Sequence, residues 1–477
     1  MSILAPEIVA KNIAQYMPFE PTPSQTQAIE MMSRLLCCSE LHPTAVVNGF
    51  AGTGKTTLMK AFCDAATNLQ FNLVLMAPTG RAAKVLSNIT DRPAHTIHKT
   101  IYRQETAGEF NSAFELNYNR NKGTIFIVDE ASMIADSETG DFGFGSGRLL
   151  TDLISYVFSR EGCRLLIVGD PAQLPPVGSS STPALDTDTL LAFGLDVESV
   201  WLTDVVRQEQ ESLILHNANQ LRNIIENDPD YIGIPHLIAQ NNLDVERVSG
   251  EELIEKLTWA TDNYGTDNVL VITRSNQRAK QFNLGIRNMV LYRENELERG
   301  DMLIVSKNNY KWLPDKNKDF IANGDIAEVR RIKCEKELFG MRFAEVTLRF
   351  REHNDIEVDT TIMMDFLTAD AGSLSPQQEQ TLYDTIAADY GDLGSQRKLY
   401  EAMKTDPWYN ALRVKYAYAI TCHKAQGGQW DVVFIDLGYI TEEMMNCEFL
   451  KWLYTAFTRA TTKVFLINFS DKFFDEK

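Results

Sequence analysis

Residues Gly49–Thr56 read Gly-Phe-Ala-Gly-Thr-Gly-Lys-Thr, between the apolar run Thr44–Asn48 and a helical pattern that starts at Thr57. Few local sequences restrict a chain so tightly. Glycines at these positions let the backbone curl until successive N–H groups point inward, and the start of the following helix adds partial positive charge. Strand, loop and helix in that order define a phosphate-binding loop inside an α/β domain. The spacing predicts that Gly49, Gly52, Thr53, Gly54, Lys55, Thr56 and Thr57 surround the phosphates of ATP. Lys55 then neutralises the β- and γ-phosphates, and the Thr56 hydroxyl ligates Mg²⁺.

A second apolar run, Ile125–Val128, ends in Asp129 and Glu130. An acid at the end of such a strand places Asp129 beside the metal and Glu130 where a general base activates water, a role worth about 10²–10⁴-fold in rate. By itself an Asp-Glu pair is equally a solvated strand end; downstream of a phosphate loop, the catalytic reading leads.

Further runs at Asn72–Ala77, Arg164–Asp170, Asn268–Thr273, Asp431–Leu437 and Lys463–Phe469 are almost continuously apolar. That is the pattern of parallel strands covered on both faces. It predicts two α/β domains, one within residues 1–200 and one built from 201–300 together with 412–477. Between them, Asp301–Val305, Asp325–Ile332, Phe343–Phe350 and Glu357–Met363 alternate apolar with polar, as half-buried antiparallel strands do. Residues 301–411 therefore read as an inserted small β-barrel with a helical extension that opens at Ser375-Pro376, with Gln378 completing a capping box. Asp136–Gly147 and Gly178–Asp188 are Gly-, Ser- and Asp-rich and read as mobile loops.

A chain of 477 residues suits two or three domains. No stretch approaches 18 consecutive apolar residues, so no membrane span is expected. The first residues show no charged region followed by an apolar run, so no secretion signal is expected. The seven cysteines include no Cys-x-x-Cys pair, which suggests neither zinc nor an iron–sulfur cluster and fits reduced thiols in the cytoplasm. The net charge of −19 argues against nucleic acid as a partner, unless cations gather in a local groove.

Ten short blocks then settle the comparison. They are Thr22–Gln25, Gly49–Thr56, Ala77–Ala83, Thr96–Lys99, Asp129–Met133, Gly169–Val177, Val206–Gln208, Asn323–Asp325, Thr421–Gly427 and Tyr454–Ala460. In wording and order, across about residues 22–469, the chain resembles the superfamily 1 DNA helicases of the RecD-like, Dda-type branch. The resemblance implies two RecA-like domains, an SH3-like accessory barrel and a wedge insertion at about 99–123. It also implies ATP- and Mg²⁺-dependent movement along single-stranded DNA, 5′ to 3′, with unwinding at duplex junctions. A monomer is expected, with replication or recombination proteins as possible partners.

Residue by residue, Gln25 looks like the adenine reader, although Thr22–Gln25 is also a capping box. Gln173 resembles the γ-phosphate sensor. Arg207 and Arg459 look like arginine fingers reaching across from the second domain, worth about 10³–10⁵ in rate. The family commonly follows the Gln426-Gly427 segment with a small residue, a Glu and an aromatic. Here Gly428-Gln429-Trp430 follows, so Gln429 offers an amide where the ribose hydroxyl meets a carboxylate elsewhere. Val206 stands where relatives carry an adenine-stacking aromatic, and the sequence names no replacement.

Pro78, Thr79, Gly80, Arg81, Thr96, His98 and Lys99 in the first domain, and Thr273, Arg274, Asn276, Thr421, His423 and Lys424 in the second, supply hydroxyls, backbone donors and a few cations. Such groups grip phosphate and sugar without reading bases. Phe114 or Phe110 is the expected wedge tip, unless Tyr102, Phe110, Phe114 and Tyr118 only pack the insertion down. Two other classes stay in view: a non-translocating P-loop NTPase, and a DNA-docking subunit of a nuclease complex with a vestigial ATPase.

Overall fold

The structure, a computed structural model, describes residues 5–104, 114–136, 145–176, 178–179, 181–204, 212–309, 311–313, 321–350, 355–369, 374–393 and 395–474. The first domain runs α1 (Pro6–Gln15), α2 (Pro23–Cys37), β1 (Pro43–Gly49), α3 (Lys55–Asn68), β2 (Leu73–Ala77), α4 (Gly80–Thr90), β3 (Ala94–Thr96) and α5 (Ile97–Ile101). A small hairpin follows, β4 (Tyr102–Gln104) against β5 (Phe114–Leu116), then β6 (Ile125–Val128), α6 (Leu149–Phe158), β7 (Arg164–Gly169), α7 (Thr187–Ala192) and β8 (Asp196–Leu202).

Six of these strands form one parallel sheet in the order β3-β2-β6-β7-β1-β8. The two-residue period of a strand explains why it is apolar throughout. Ala45, Val47, Ile125, Ile127, Leu166 and Val168 pack under α1, α2 and α3. Their neighbours Val46, Phe126, Val128, Leu165 and Ile167 point the other way, onto α5 and α6. The loops at the C-terminal ends of β1, β6 and β7 then meet on one rim, where open α/β sheets hold their ligands.

The second domain contributes α8 (Leu213–Asn227), β9 (Val245–Val248), α9 (Leu253–Tyr264), β10 (Val269–Thr273) and α10 (Asn276–Gly285). The barrel strands β11 (Met302–Val305), β12 (Ile326–Leu338), β13 (Met341–Phe350) and β14 (Ile356–Met363) come next, with helices α11 (Pro376–Asp389) and α12 (Gln396–Thr405). The chain then passes through β15 (Leu412–Tyr416), β16 (Ala419–Thr421), α13 (Cys422–Ala425), β17 (Trp430–Asp436), α14 (Cys447–Phe457) and β18 (Ala460–Ile467). A five-stranded parallel sheet has the order β16-β10-β17-β18-β9.

Two expectations need correction. Leu412–Tyr416, placed by its sequence in the second α/β domain, pairs with β11 and β14 and closes the barrel. Gly178–Asp188 is not simply a loop: Ala184 and Leu185 are buried in the first domain's core, and the Asp186 side chain caps α7. Both capping boxes form, at Thr22 with Gln25 and at Ser375 with Gln378. In the hairpin, Tyr102 is core, donating its hydroxyl to Asp152 at 2.7 Å, whereas Tyr118 is exposed. Phe110, the other expected tip, lies outside the described residues, as does the side chain of Phe114.

The barrel is mounted on the second domain through Asp301, a fully buried carboxylate. It accepts from Arg287 at 2.9 and 3.0 Å, from the Tyr418 hydroxyl at 2.9 Å and from the Glu298 N–H at 2.7 Å, with Arg293 at 2.6 Å. Asp301→Ala leaves the buried Arg287 and the partly buried Arg293 without their counter-charge, so we expect a loss of about 3–5 kcal/mol. Urea unfolding of the variant beside the parent checks it.

Candidate nucleotide site and nucleic-acid track

A cleft of about 650 Å³ opens between the two α/β domains. From the first domain its wall takes Gln25, Gly52, Gly54, Lys55, Thr56, Thr57, Glu130, Asp170 and Gln173, and from the second Gln429, Thr458 and Arg459. The loop after β1 turns through Gly52 and Gly54, with φ of +75° and +80°, values that only glycine adopts freely. Gly54 caps α3 without a side chain, so the first N–H groups of that helix have no side-chain acceptor. Lys55 Nζ lies inside the loop, donating to the carbonyls of Gly49 at 2.6 Å and Phe50 at 2.8 Å, 3.7 Å from Asp170 Oδ2.

One acid behind this loop, Asp129, is tuned by burial. The Asp129 carboxyl is pushed well above the usual range, first by burial and then by the charge of Glu130. The Glu130 N–H, 2.9 Å from Asp129 Oδ1, and Lys55 oppose that shift. Glu130 itself has φ of +52°, a strained conformation for a residue with a side chain. Uncapped helix N–H groups, an ammonium and a carboxyl whose ionisation needs a nearby cation together fit a triphosphate with its divalent ion. Gln173, which lines this cleft, has its Oε1 buried with no hydrogen-bond partner.

Side chains from the second domain complete the rim. The Tyr454 hydroxyl donates to Asp170 Oδ2 at 2.7 Å and accepts from the Ala51 N–H at 2.9 Å. Thr455 Oγ1 accepts from the Leu174 N–H, and Gln426 Nε2 donates to the Leu174 carbonyl, each at 2.9 Å. The Arg222 guanidinium lies 4.5 Å over the Phe50 ring. Arg459 is buried and held by the carbonyls of Thr455 at 3.2 Å and Gly428 at 3.3 Å.

Several expected residues are engaged in other bonds, lie behind the wall or fall outside the described residues. Gln25 is not an unencumbered adenine reader: Nε2 donates to the Thr53 carbonyl at 2.9 Å, and Oε1 accepts from the Thr22 N–H at 3.1 Å. Its amide braces the phosphate loop against α2, leaving one N–H and one lone pair. Gly49, Thr53, Asp129 and Gly428 stand behind the wall; Thr53 is fully buried and donates to the Phe50 carbonyl at 2.8 Å. Arg207 and Val206 lie outside the described residues. Asp170 and Tyr454 belong to quoted blocks, yet a single sequence does not show that one is the other's partner across a cleft. Phe19, on the same wall and 61% exposed, carried no sequence signal at all.

On the track, the hydroxyls serve mainly as helix caps. Thr79 accepts from the Ala82 N–H and Thr96 from the Lys99 N–H, each at 3.1 Å. Thr273 is a correction: it is fully buried and donates to the Ser275 carbonyl at 3.0 Å, so it offers nothing to a strand. His98 packs 5.6 Å from the Tyr102 ring, and Arg274 lies 5.7 Å from Phe449. Pro78 and Gly80 stand at the start of α4, where a Cβ on Gly80 would meet Ala322 and Asp325 of the barrel at 2.9 Å. Asn276, Thr421 and Lys424 line one pocket with Lys280 and Lys415, two lysines that the sequence did not single out. Burial lowers the pKa of His423; burial and then Lys415 lower that of Lys424.

Two α/β domains sharing a phosphate-loop cleft, with a barrel mounted on the second, define the helicase-like class of P-loop ATPase. Residues 22–225 match the AAA domain family, and residues 416–467 match the UvrD-like helicase C-terminal domain. The ATP-dependent RecD2 DNA helicase of Deinococcus radiodurans is 26% identical over 89% of this chain, which spans 47% of that protein. The ATP-dependent DNA helicase dda of Enterobacteria phage T4 is 24% identical over 94% of this chain and 99% of its own length. A structure of two coordinating Pif1 helicases at forked DNA shares the fold, with a TM-score of 0.50, 15% identity and coverage of 96% of this chain and 94% of that one. In its family matches and its relatives the chain resembles the superfamily 1 helicases of the RecD-like, Dda-type branch. Among the described residues no helix is long and apolar enough to cross a membrane.

Tyr454→Phe removes one hydroxyl and strands both the Asp170 oxygen and the Ala51 N–H. A cost of about 1–3 kcal/mol is expected. It should appear as a lower Tm and reduced ATP turnover, with the second sheet intact by circular dichroism.

Proposed function

We propose that this chain hydrolyses ATP between its two α/β domains and uses closure of that cleft to move along single-stranded DNA, separating the duplex ahead. The observation that carries this reading is the division of the cleft: Lys55, Glu130 and Gln173 on one wall, Arg459 on the other, tied by Tyr454 and Asp170. In that arrangement Lys55 leaves the loop carbonyls for the β- and γ-phosphates, and Glu130 takes the proton of the attacking water. The unpartnered Gln173 oxygen accepts that water's other hydrogen. Mg²⁺, held through Thr56 and Asp129, would supply charge neutralisation between the phosphates. Arg459 reaches developing charge only when the domains are close, which makes hydrolysis conditional on closure.

Moving 5′ to 3′ follows from the family resemblance, and DNA as the track is supported by the names of the RecD2 and dda relatives. The pocket lined by Lys280, Lys415 and Lys424 supports a phosphate contact at the start of α10 and α13. We assign the barrel and its helices as an accessory domain and the β4–β5 hairpin as the wedge.

Turnover by the purified chain is expected to rise steeply with single-stranded oligonucleotide, and unwinding to require a 5′ rather than a 3′ tail. Lys55→Ala should abolish both while sparing strand binding. Turnover indifferent to oligonucleotide would instead favour a non-translocating NTPase. Lys424→Ala should weaken strand binding evenly across sequences and lower the slope of log K against log salt by about 1, as measured by fluorescence anisotropy.

A further inference from the structure

Trp430 opens β17 in the second domain and is 4% exposed. The guanidinium carbon of Arg81, in the first turn of α4 in the other domain, lies 3.9 Å from the centroid of its ring. Such contact between a planar cation and a desolvated indole is favourable and oriented, and a lysine cannot reproduce its face-to-face geometry. The approach depends on Gly427 and Gly428. A Cβ on Gly428 would stand 2.6 Å from Arg81 Nε and from Trp430 Cη2; one on Gly427, where φ is +73°, would stand 2.9 Å from Ala82 Cβ.

The other bonds of this segment run to the nucleotide cleft. The Trp430 N–H donates to the Arg459 carbonyl at 2.9 Å, and the Gly428 carbonyl accepts from Arg459 Nη1 at 3.3 Å. Thr461, two residues past Arg459, donates to the Trp430 carbonyl at 3.3 Å. Both the backbone and the guanidinium of Arg459 are therefore placed by the residues that receive Arg81.

We propose that Trp430 is a positioning residue that relays occupancy of the nucleic-acid track to the hydrolytic cleft. A phosphate engaging the edge of Arg81 fixes its face on the indole, and the fixed indole holds Gly428 and Arg459 in the hydrolytic position. The relay rests on the function proposed above, since it joins the two sites that reading assigns.

The test uses the full chain, ATP and a thymidine oligonucleotide, with turnover measured with and without DNA. For Trp430→Leu we expect DNA-free turnover, the KM for ATP and oligonucleotide affinity to stay within about twofold, while DNA-stimulated kcat falls about tenfold. Trp430→Phe, which keeps a ring face, should recover part of that loss. Arg81→Lys should also lose stimulation, and the double variant should lose no more than the larger single loss, the mark of one shared interaction. Where Trp430→Leu fails to fold, Arg81→Lys against Trp430→Phe decides. Equal losses with and without DNA, additive losses, or full stimulation in the variants would overturn the relay alone. A wild-type enzyme indifferent to the oligonucleotide would overturn the relay together with the motor reading.

Discussion

The Tyr454 hydroxyl is the point on which the two halves of this molecule agree. It donates to a carboxylate at the end of β7 and accepts from the Ala51 N–H of the phosphate loop, while its own helix belongs to the other domain. Burial, and next the negative charge of Asp170, raise its pKa well above the ordinary phenol value. The proton therefore stays on the phenol, and the direction of donation is fixed. Asp170 also accepts from the Ala172 N–H at 3.0 Å and faces Lys55. A rigid shift of α14 thus reaches the base of the cleft through this oxygen as well as through Thr455 Oγ1 on the Leu174 N–H, and the loop cannot reorganise without either carrying the Tyr454 hydroxyl along or breaking its bond.

What was legible in the sequence follows from how local each signal is. The phosphate loop, the strand ending in Asp129 and both capping boxes are set by residues a few positions apart, and all of them form as read. The central strands were legible because burial on both faces makes them apolar at every position. Two other strands fail that test, β8 at the edge of its sheet and β15 in the barrel wall. In β8 most residues are at least partly exposed, and β15 carries Arg413 and Lys415, so neither stands out as an apolar run. Gln25 shows the limit most clearly: the capping box was visible, but the second bond of its amide goes to Thr53, 28 residues away. Lys280 and Lys415 are more than a hundred residues apart in the chain, and only the closure of the barrel by β15 brings the second beside the first.

The barrel is more than an appendage. Its Ala322–Asp325 turn touches Gly80, and Gly427 touches Thr79 and Ala82, so the start of α4 lies where all three domains meet. Thr79 caps that helix with its side chain, and Arg81 in the same turn stacks on Trp430. A residue grouped from sequence with the strand-gripping set is, in the fold, part of an inter-domain contact. Backbone N–H groups at a helix start remain suited to phosphate even when the capping hydroxyl is spent.

The acidic surplus of the chain and its cationic pocket answer different physical demands. Lys424 is half-buried beside Lys415, and both effects disfavour its charge. Such a lysine gains from an arriving phosphate, because the anion offsets a repulsion already present. The same repulsion limits how much the pair contributes once the phosphate is seated, so affinity at any single step stays modest. The motor proposed above, which would release its track each cycle, needs that compromise more than it needs tight binding. A net charge of −19 elsewhere disfavours phosphate except where such local cations outweigh it. On the function proposed above, strand binding is expected to be confined to the groove, with its strength set by a few positions rather than by the surface as a whole.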